Sequence, residues 1–292
     1  MKTLYIKLFA LTTIAVSLIA VSGCKKTSSN PGSAYDISLA TSATLGQYLV
    51  DKDGYALYST ANDFNGRTSC TGACLDMWPA FYVPDLTSAR LGPGLDISDF
   101  DTVRVNGVVQ LRYKTWPLYY FAPGSGYGGQ NTREPSGETN GDGYGGVWFA
   151  AKPDYSVMLS DAQLVGNDGM DYKGDYTPGT GKTLFFTDAK GNTLYTFSKD
   201  SVNKNDFTKS DFSNNGLWPI YESPVMSVPS DLDKSLFGTI TVFGRSQMTY
   251  KGWPLYYFGA DNLSHGNTKG VSVPVPGTWK VPVKDMPDPP SK

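Results

Sequence analysis

Few residue types in this chain are able to carry chemistry, and their spacing narrows the choice further. Cys70 and Cys74 form a Cys-x-x-x-Cys pair with no histidine after it, so attachment of c-type haem is not indicated. In an exported chain such a pair is by default a disulfide, worth about 2 kcal/mol for so short a loop on the chain-entropy estimate. A redox-active or metal-holding pair is the sharper alternative. His265 is the single histidine, whereas copper and zinc sites draw on two or more imidazole or thiolate ligands. Ser264 precedes it in a Gly- and Asn-flanked loop without a Gly-x-Ser-x-Gly elbow, so a surface histidine is expected rather than half of a nucleophile and base.

Carboxylates are plentiful and nearly all are Asp; Glu stands only at 134, 138 and 222. Nothing singles out a pair for glycoside hydrolysis. Asn140-Gly-Asp142-Gly and Asn167-Asp168-Gly-Met-Asp171 gather oxygen ligands suited to Ca²⁺ but miss the EF-hand spacing. No cofactor is therefore expected, with Ca²⁺ as the one ion that has some support. Tyr127, Tyr144, Tyr172 and Tyr176 lie in stretches 122–146 and 166–181, rich in Gly, Asp and Asn and without an apolar period. Loops this long are usually functional or disordered, and exposed rings there would stack on a glycan, a peptide or a small flat ligand.

The elements that must position these residues are duplicated. Tyr113-Lys-Thr-Trp-Pro-Leu-Tyr-Tyr-Phe121 returns as Tyr250-Lys-Gly-Trp-Pro-Leu-Tyr-Tyr-Phe258, changed only at Thr115 and Gly252. At the same offset, the Asp53-Gly54 turn between apolar runs returns at Lys190-Gly191, and the Asn106-Gly107 hairpin returns at Phe243-Gly244. Asp-Gly and Asn-Gly between alternating residues signal tight β-hairpins. A shorter form, Leu-Tyr-x-(Phe or Thr)-x-x-(Asp or Gly), occurs twice in each repeat. Its members are Tyr58 and Asp63; Tyr119 and Phe121; Tyr195, Phe197 and Asp200; and Tyr256, Phe258 and Asp261. On a strand the Tyr and the residue two later share a face, and the Asp is placed to close an Asx turn on its own backbone. Trp78, Trp116 and Trp148 find partners in Trp218, Trp253 and Trp279, as duplicated packing predicts.

Composition agrees with β structure: Gly 32, Tyr 19, Pro 19, and a charged fraction of 18%. The fold expected is all-β, two tandem similar domains of short antiparallel hairpins, each closed into a sandwich or barrel-like unit, at 35–154 and 155–288. Before them, 1–23 reads as a signal peptide: Lys2 and Lys7, an apolar run from Leu8 to Val21, then Val21-Ser-Gly-Cys24. This resembles a bacterial lipoprotein signal, with cleavage before Cys24 and lipid, palmitate among its acyl chains, on that cysteine. The polar stretch 24–34 would be a flexible tether. The whole chain has 25 basic and 27 acidic residues, and loss of Lys2 and Lys7 makes the balance more acidic, so nucleic acid is not an expected partner.

Asp53-Gly54, Leu57-Tyr58, Ser69-Cys70-Thr-Gly-Ala-Cys74, Trp78-Pro79, Pro117-Leu118-Tyr119 and Gly145-Gly-Val-Trp148 together resemble the bacterial secreted-repeat lipoproteins with a Tyr-x-(Phe, Trp or Tyr)-x-x-Asp motif. The resemblance spans most of 47–150 and recurs, partly worn, over 184–281, where Ser210 and Asn214 stand near the places of the cysteines. It implies a membrane-anchored protein of the bacterial envelope, with the outer membrane as the expected site, and brings no general biochemical function with it. The residues point to a non-catalytic binding or structural role, with an enzyme the less expected reading. The alternative is a redox-associated or small-cofactor-binding envelope protein using Cys70 and Cys74.

Overall fold

Asn106-Gly107 and Phe243-Gly244 form the tips of two matching hairpins, and all four residues have positive φ, at 49°, 83°, 46° and 89°. Type I′ turns need this geometry, which glycine adopts without a Cβ penalty. In the first repeat Phe100–Val105 pairs with Val108–Tyr113, and in the second Phe237–Val242 pairs with Arg245–Tyr250. Phe100 faces Tyr113 just as Phe237 faces Tyr250, and each chain then folds back on Trp116–Pro117 or Trp253–Pro254. The two hairpins therefore share one pairing register. The Asp53-Gly54 and Lys190-Gly191 turns are closed by single bridges, Val50 to Ala56 and Thr187 to Thr193.

This computed structural model describes residues 33–124 and 132–291; the expected signal peptide, Cys24, most of the expected tether and Tyr127 lie outside them. The described residues fall in one compact unit, Pro31–Lys292. They are all-β in character, with short helical turns such as Cys74–Met77, and among them no sheet exceeds three strands. Ile37–Ser42 pairs with Gly46–Asp51, and Met158–Val165 with Lys182–Thr187. Tyr58–Thr60 pairs with Trp148–Ala150, and Thr196–Phe197 with Trp279–Lys280.

What joins these small sheets is a set of closed backbone rings. The N–H of Leu57 donates to Leu49, that of Leu49 to Ala151, and that of Ala151 back to Leu57, at 3.0, 2.8 and 2.8 Å. Leu118, Leu111 and Phe81 form a second ring, and Leu255, Met248 and Tyr221 repeat it in the other half. The fourth ring, through Leu194, Phe186 and Pro282, makes two bonds, because proline has no N–H to give. Each repeat thus consists of two half-units, joined by reciprocal bonds between Tyr58 and Tyr119 or between Tyr195 and Tyr256 at 2.8–2.9 Å. Hydrogen bonding draws three-strand rings, and neither a continuous barrel nor two large facing sheets is drawn among the described residues.

Two indole stacks fill the centres of the repeats. Trp78 lies on Trp148 with centroids 3.8 Å apart, and Trp218 on Trp279 at 3.6 Å. Strands this short would bury little apolar area without such large side chains. Across the two repeats, Ala61 and Phe149 share a core with Val157, Leu159 and Phe186. Trp116 Nε1 also donates to the Ala189 carbonyl at 3.1 Å and Thr115 Oγ1 to that of Lys190 at 2.8 Å. One of the duplicated Tyr-Lys-x-Trp turns is thereby part of the junction.

Candidate functional site

The tyrosine of each short motif hydrogen-bonds a carboxylate from the other half-unit of its repeat. Tyr119 donates to Asp63 Oδ2 at 2.8 Å, Tyr195 to Asp261 at 2.6 Å and Tyr256 to Asp200 at 2.7 Å. The fourth tyrosine, Tyr58, would look to position 124, where the motif has Gly. It donates instead to Glu134 Oε1, supplied by the loop that follows. Each carboxylate also ties down its own loop, since Asp63 accepts the Ser69 N–H at 2.7 Å, Asp200 that of Asp206 at 2.8 Å and Asp261 that of Lys269 at 2.9 Å. Glu134 likewise accepts the N–H of Asn140 at 2.7 Å. The Asp is therefore not the local Asx turn expected from its spacing; it closes a wider loop and reaches across the repeat.

Burial decides what these groups are able to do. Asp63 and Asp200 are fully buried, with Asp261 at 4% and Glu134 at 2% exposure. Desolvation pushes Asp63 and Asp261 up to about 6, against the lowering effect of their hydrogen-bond donors. Glu134 is raised for the same reason. Burial, then the adjacent carboxylate charge, holds the Tyr58, Tyr119, Tyr195 and Tyr256 hydroxyls far above their ordinary value. The tyrosines stay protonated donors and the carboxylates stay covered, so neither partner offers a base or a nucleophile to a substrate. A second Asp–Tyr bond, from Tyr120 to Asp51 at 2.7 Å and from Tyr257 to Asp188 at 2.8 Å, is made in both repeats. The extra tyrosine of Leu-Tyr-Tyr-Phe and the aspartate at the matching turn were its sequence signal.

The motif aromatics complete the packing. Phe121 lies against Trp78 at 4.6 Å, Phe258 against Trp218 at 4.4 Å and Phe197 against Trp279 at 4.6 Å. Thr60 takes the equivalent place in the first motif copy and accepts the Asn62 N–H at 3.3 Å.

Cys70 and Cys74 form a disulfide with Cα atoms 5.3 Å apart. Cys70 is buried, and the Trp78 N–H reaches the Cys74 carbonyl at 2.9 Å, which seats the stacked indole. Asn214 does this work in the second repeat. Its Nδ2 donates to Phe207 O at 2.9 Å, its Oδ1 accepts from Lys209 N at 3.0 Å, and its carbonyl takes the Trp218 N–H at 3.2 Å.

The loop tyrosines separate into different settings. Tyr172 is buried and donates to Asp168 at 2.6 Å, and Tyr176 packs on the second-repeat core with its hydroxyl 3.4 Å from Val281 O. Tyr172 is thus covered, and Tyr176 is half-buried. Tyr144 is 45% exposed and meets Trp78 and Phe121 edge-on or tilted, at 5.7 and 5.6 Å. Tyr127 lies outside the described residues. The oxygen clusters are used in turns: Asp142 Oδ1 accepts Ala150 N–H at 2.8 Å, and Asp168 Oδ1 accepts Met170 N–H at 3.1 Å. Among the described residues no group of three His, Cys, Asp or Glu side chains is arranged to hold a metal ion.

His265, expected on the surface, is seated at the junction between the repeats. Its ring lies 4.3 Å from that of Trp116, and Nδ1 is 2.9 Å from Thr115 Oγ1. A Cβ on Gly191, whose φ is 79°, would overlap the imidazole. Burial, with a further contribution from Arg112, lowers its pKa to about 3. A Gly-flanked sequence suggests exposure, but the turn it occupies is docked against the other repeat.

No curated protein and no solved structure matches the chain, and among the described residues no helix is long and apolar enough to cross a membrane. Residues 40–81, which hold the Asp-Gly turn, the first Leu-Tyr motif, the disulfide loop and Trp78-Pro79, match the family described as a secreted repeat of unknown function, which implies a place outside the cytoplasm, in the envelope or beyond it.

Proposed function

We propose that this is a lipoprotein held in the bacterial envelope by acylated Cys24, acting through binding or as structure and not through catalysis. The observation that carries this reading is the mutual satisfaction of the motif: four buried carboxylates are each bonded by a buried tyrosine of the opposite half-unit. A catalytic carboxylate must meet its substrate within hydrogen-bond reach. The acyl chains would give firm anchoring at about 0.8 kcal/mol per buried CH₂, and the polar tether would hold the folded part off the bilayer.

The test has two arms. Cells grown with labelled palmitate should yield labelled wild-type chain and unlabelled Cys24→Ser chain; label surviving in the variant would refute the anchor. Purified protein should leave a broad panel of glycan, peptide and ester substrates intact, and reproducible turnover of any of them would refute the non-catalytic role.

A further inference from the structure

The stretch 132–146 holds a residue with no counterpart in the second repeat. Arg133 lays its guanidinium over the Tyr120 ring, 3.5 Å from the centroid, with the Tyr55 ring at 5.4 Å. Stacking fixes the plane of the fork. Its Nη1 is ion-paired with Asp51 Oδ2 at 3.8 Å, a separation beyond hydrogen-bond reach. Asp51 is moreover already engaged: Oδ1 accepts the N–H groups of Asp53 and Tyr55 at 2.9 and 3.0 Å, and Oδ2 accepts the Tyr120 hydroxyl at 2.7 Å. In the second repeat Asp188 and Tyr257 make the same bond, and among the described residues no cation lies over the Tyr257 ring.

Arg133 borders a cleft of about 400 Å³, within the range of ligand sites, roughly 300–1,000 Å³. The other cations around it have hydrogen-bonded acceptors. Arg90 meets Asp36 and gives Nη1 to the carbonyls of Pro84 and Asp85, and Lys52 meets Asp53 at 2.7 Å. Among the described residues lining the cleft, Arg133 is thus the cation whose fork has no hydrogen-bonded acceptor. Tyr82, 44% exposed, lines the same cleft.

We propose that this cleft binds a carboxylated sugar. Arg133 takes the carboxylate bidentately, the geometry for which a pre-oriented guanidinium is suited. Tyr82 covers one face of the pyranose ring, and Lys52 and Asp53 at the rim exchange hydrogen bonds with its hydroxyls. A sugar is favoured over other carboxylates because the lining offers a stacking ring together with paired groups that both donate and accept. The inference rests on the binding role proposed above and gives it a ligand class.

The test is calorimetric titration of the full chain in detergent with trigalacturonate and with its methyl ester, which keeps the sugars and removes the charges. Trigalacturonate should bind, and the ester should bind at least tenfold more weakly. Arg133→Gln should weaken trigalacturonate at least tenfold at an unchanged unfolding temperature, Arg133→Lys should fall between because it keeps charge but loses the fork, and Tyr82→Ala should weaken acid and ester alike. Absence of binding, equal affinity for acid and ester, or undiminished binding by Arg133→Gln would each overturn the site. Cleavage of the bound trisaccharide would overturn the non-catalytic role and leave the site standing, so the two failures are distinct.

Discussion

Tyr119 and Asp63 belong to different copies of one short motif, and the tyrosine hydroxyl donates to the aspartate across 2.8 Å in the buried centre of the first repeat. The exchange is made twice more in the second repeat, by Tyr195 with Asp261 and by Tyr256 with Asp200. A motif of this kind is a clasp between half-units. Its parts are kept together because each copy holds the other copy's tyrosine.

The fourth clasp is built from Glu134, and its removal should be felt in stability. Glu134→Ala leaves the buried Tyr58 hydroxyl and the Asn140 N–H without their acceptor, a loss of about 1–3 kcal/mol. Adding Tyr58→Phe should return part of that loss, since it removes one orphaned group. Urea unfolding of the single and double variants measures both; a double variant no better than the single would count against the pair.

The pH dependence carries a definite sign. Asp261 is pushed up to about 6 from an ordinary 3.8 by burial, so below the unfolded value both states are protonated, and as pH climbs through the window the folded state bears the burial of a charge. Stability contributed by this group is therefore present in acid and lost as pH rises from about 4 to about 6. The cost of Asp261→Asn should shrink over that window by an amount of the order of 3 kcal/mol. Denaturation at a series of pH values gives the answer, and a cost that grows with pH would be the wrong sign.

His265 works in the opposite direction. Its pKa is lowered to about 3, so its contribution is present above the unfolded value near 6.5 and fades as pH falls toward about 3. Because the chain has one histidine, its imidazole proton resonances need no assignment. They should hold their positions between about pH 8 and pH 5. A titration midpoint close to 6.5 would place the ring in solvent and undo the junction described here.

Much of this fold was legible in the chain. Asn106-Gly107 announced its hairpin, the two nine-residue copies announced matching fold-backs at Trp116 and Trp253, and the pairing of tryptophans between repeats announced that they pack. The unread part is what local spacing has no means to express. Trp78 stacks on Trp148 within its own repeat, a contact set by ring closure of the backbone and not by distance along it. Asp63 looked like a local turn residue because its reach to Tyr119 depends on the second motif copy folding back. Glu134 was hidden further, since it stands in the loop beyond the Gly124 that it replaces; its one outward sign was a rare Glu in a chain rich in Asp. Tyr172 and Tyr176 looked exposed for the same reason His265 did, because a Gly-rich stretch reads as a solvated loop even where it is docked on a core.

The clasp between half-units is tested most directly by a double-mutant cycle on Tyr195 and Asp261, read by urea unfolding of wild type, Tyr195→Phe, Asp261→Asn and the double variant at one pH near 8. A hydrogen bond at 2.6 Å between two buried groups predicts a coupling energy of about 1–3 kcal/mol. Additive losses, with coupling indistinguishable from zero, would contradict the clasp.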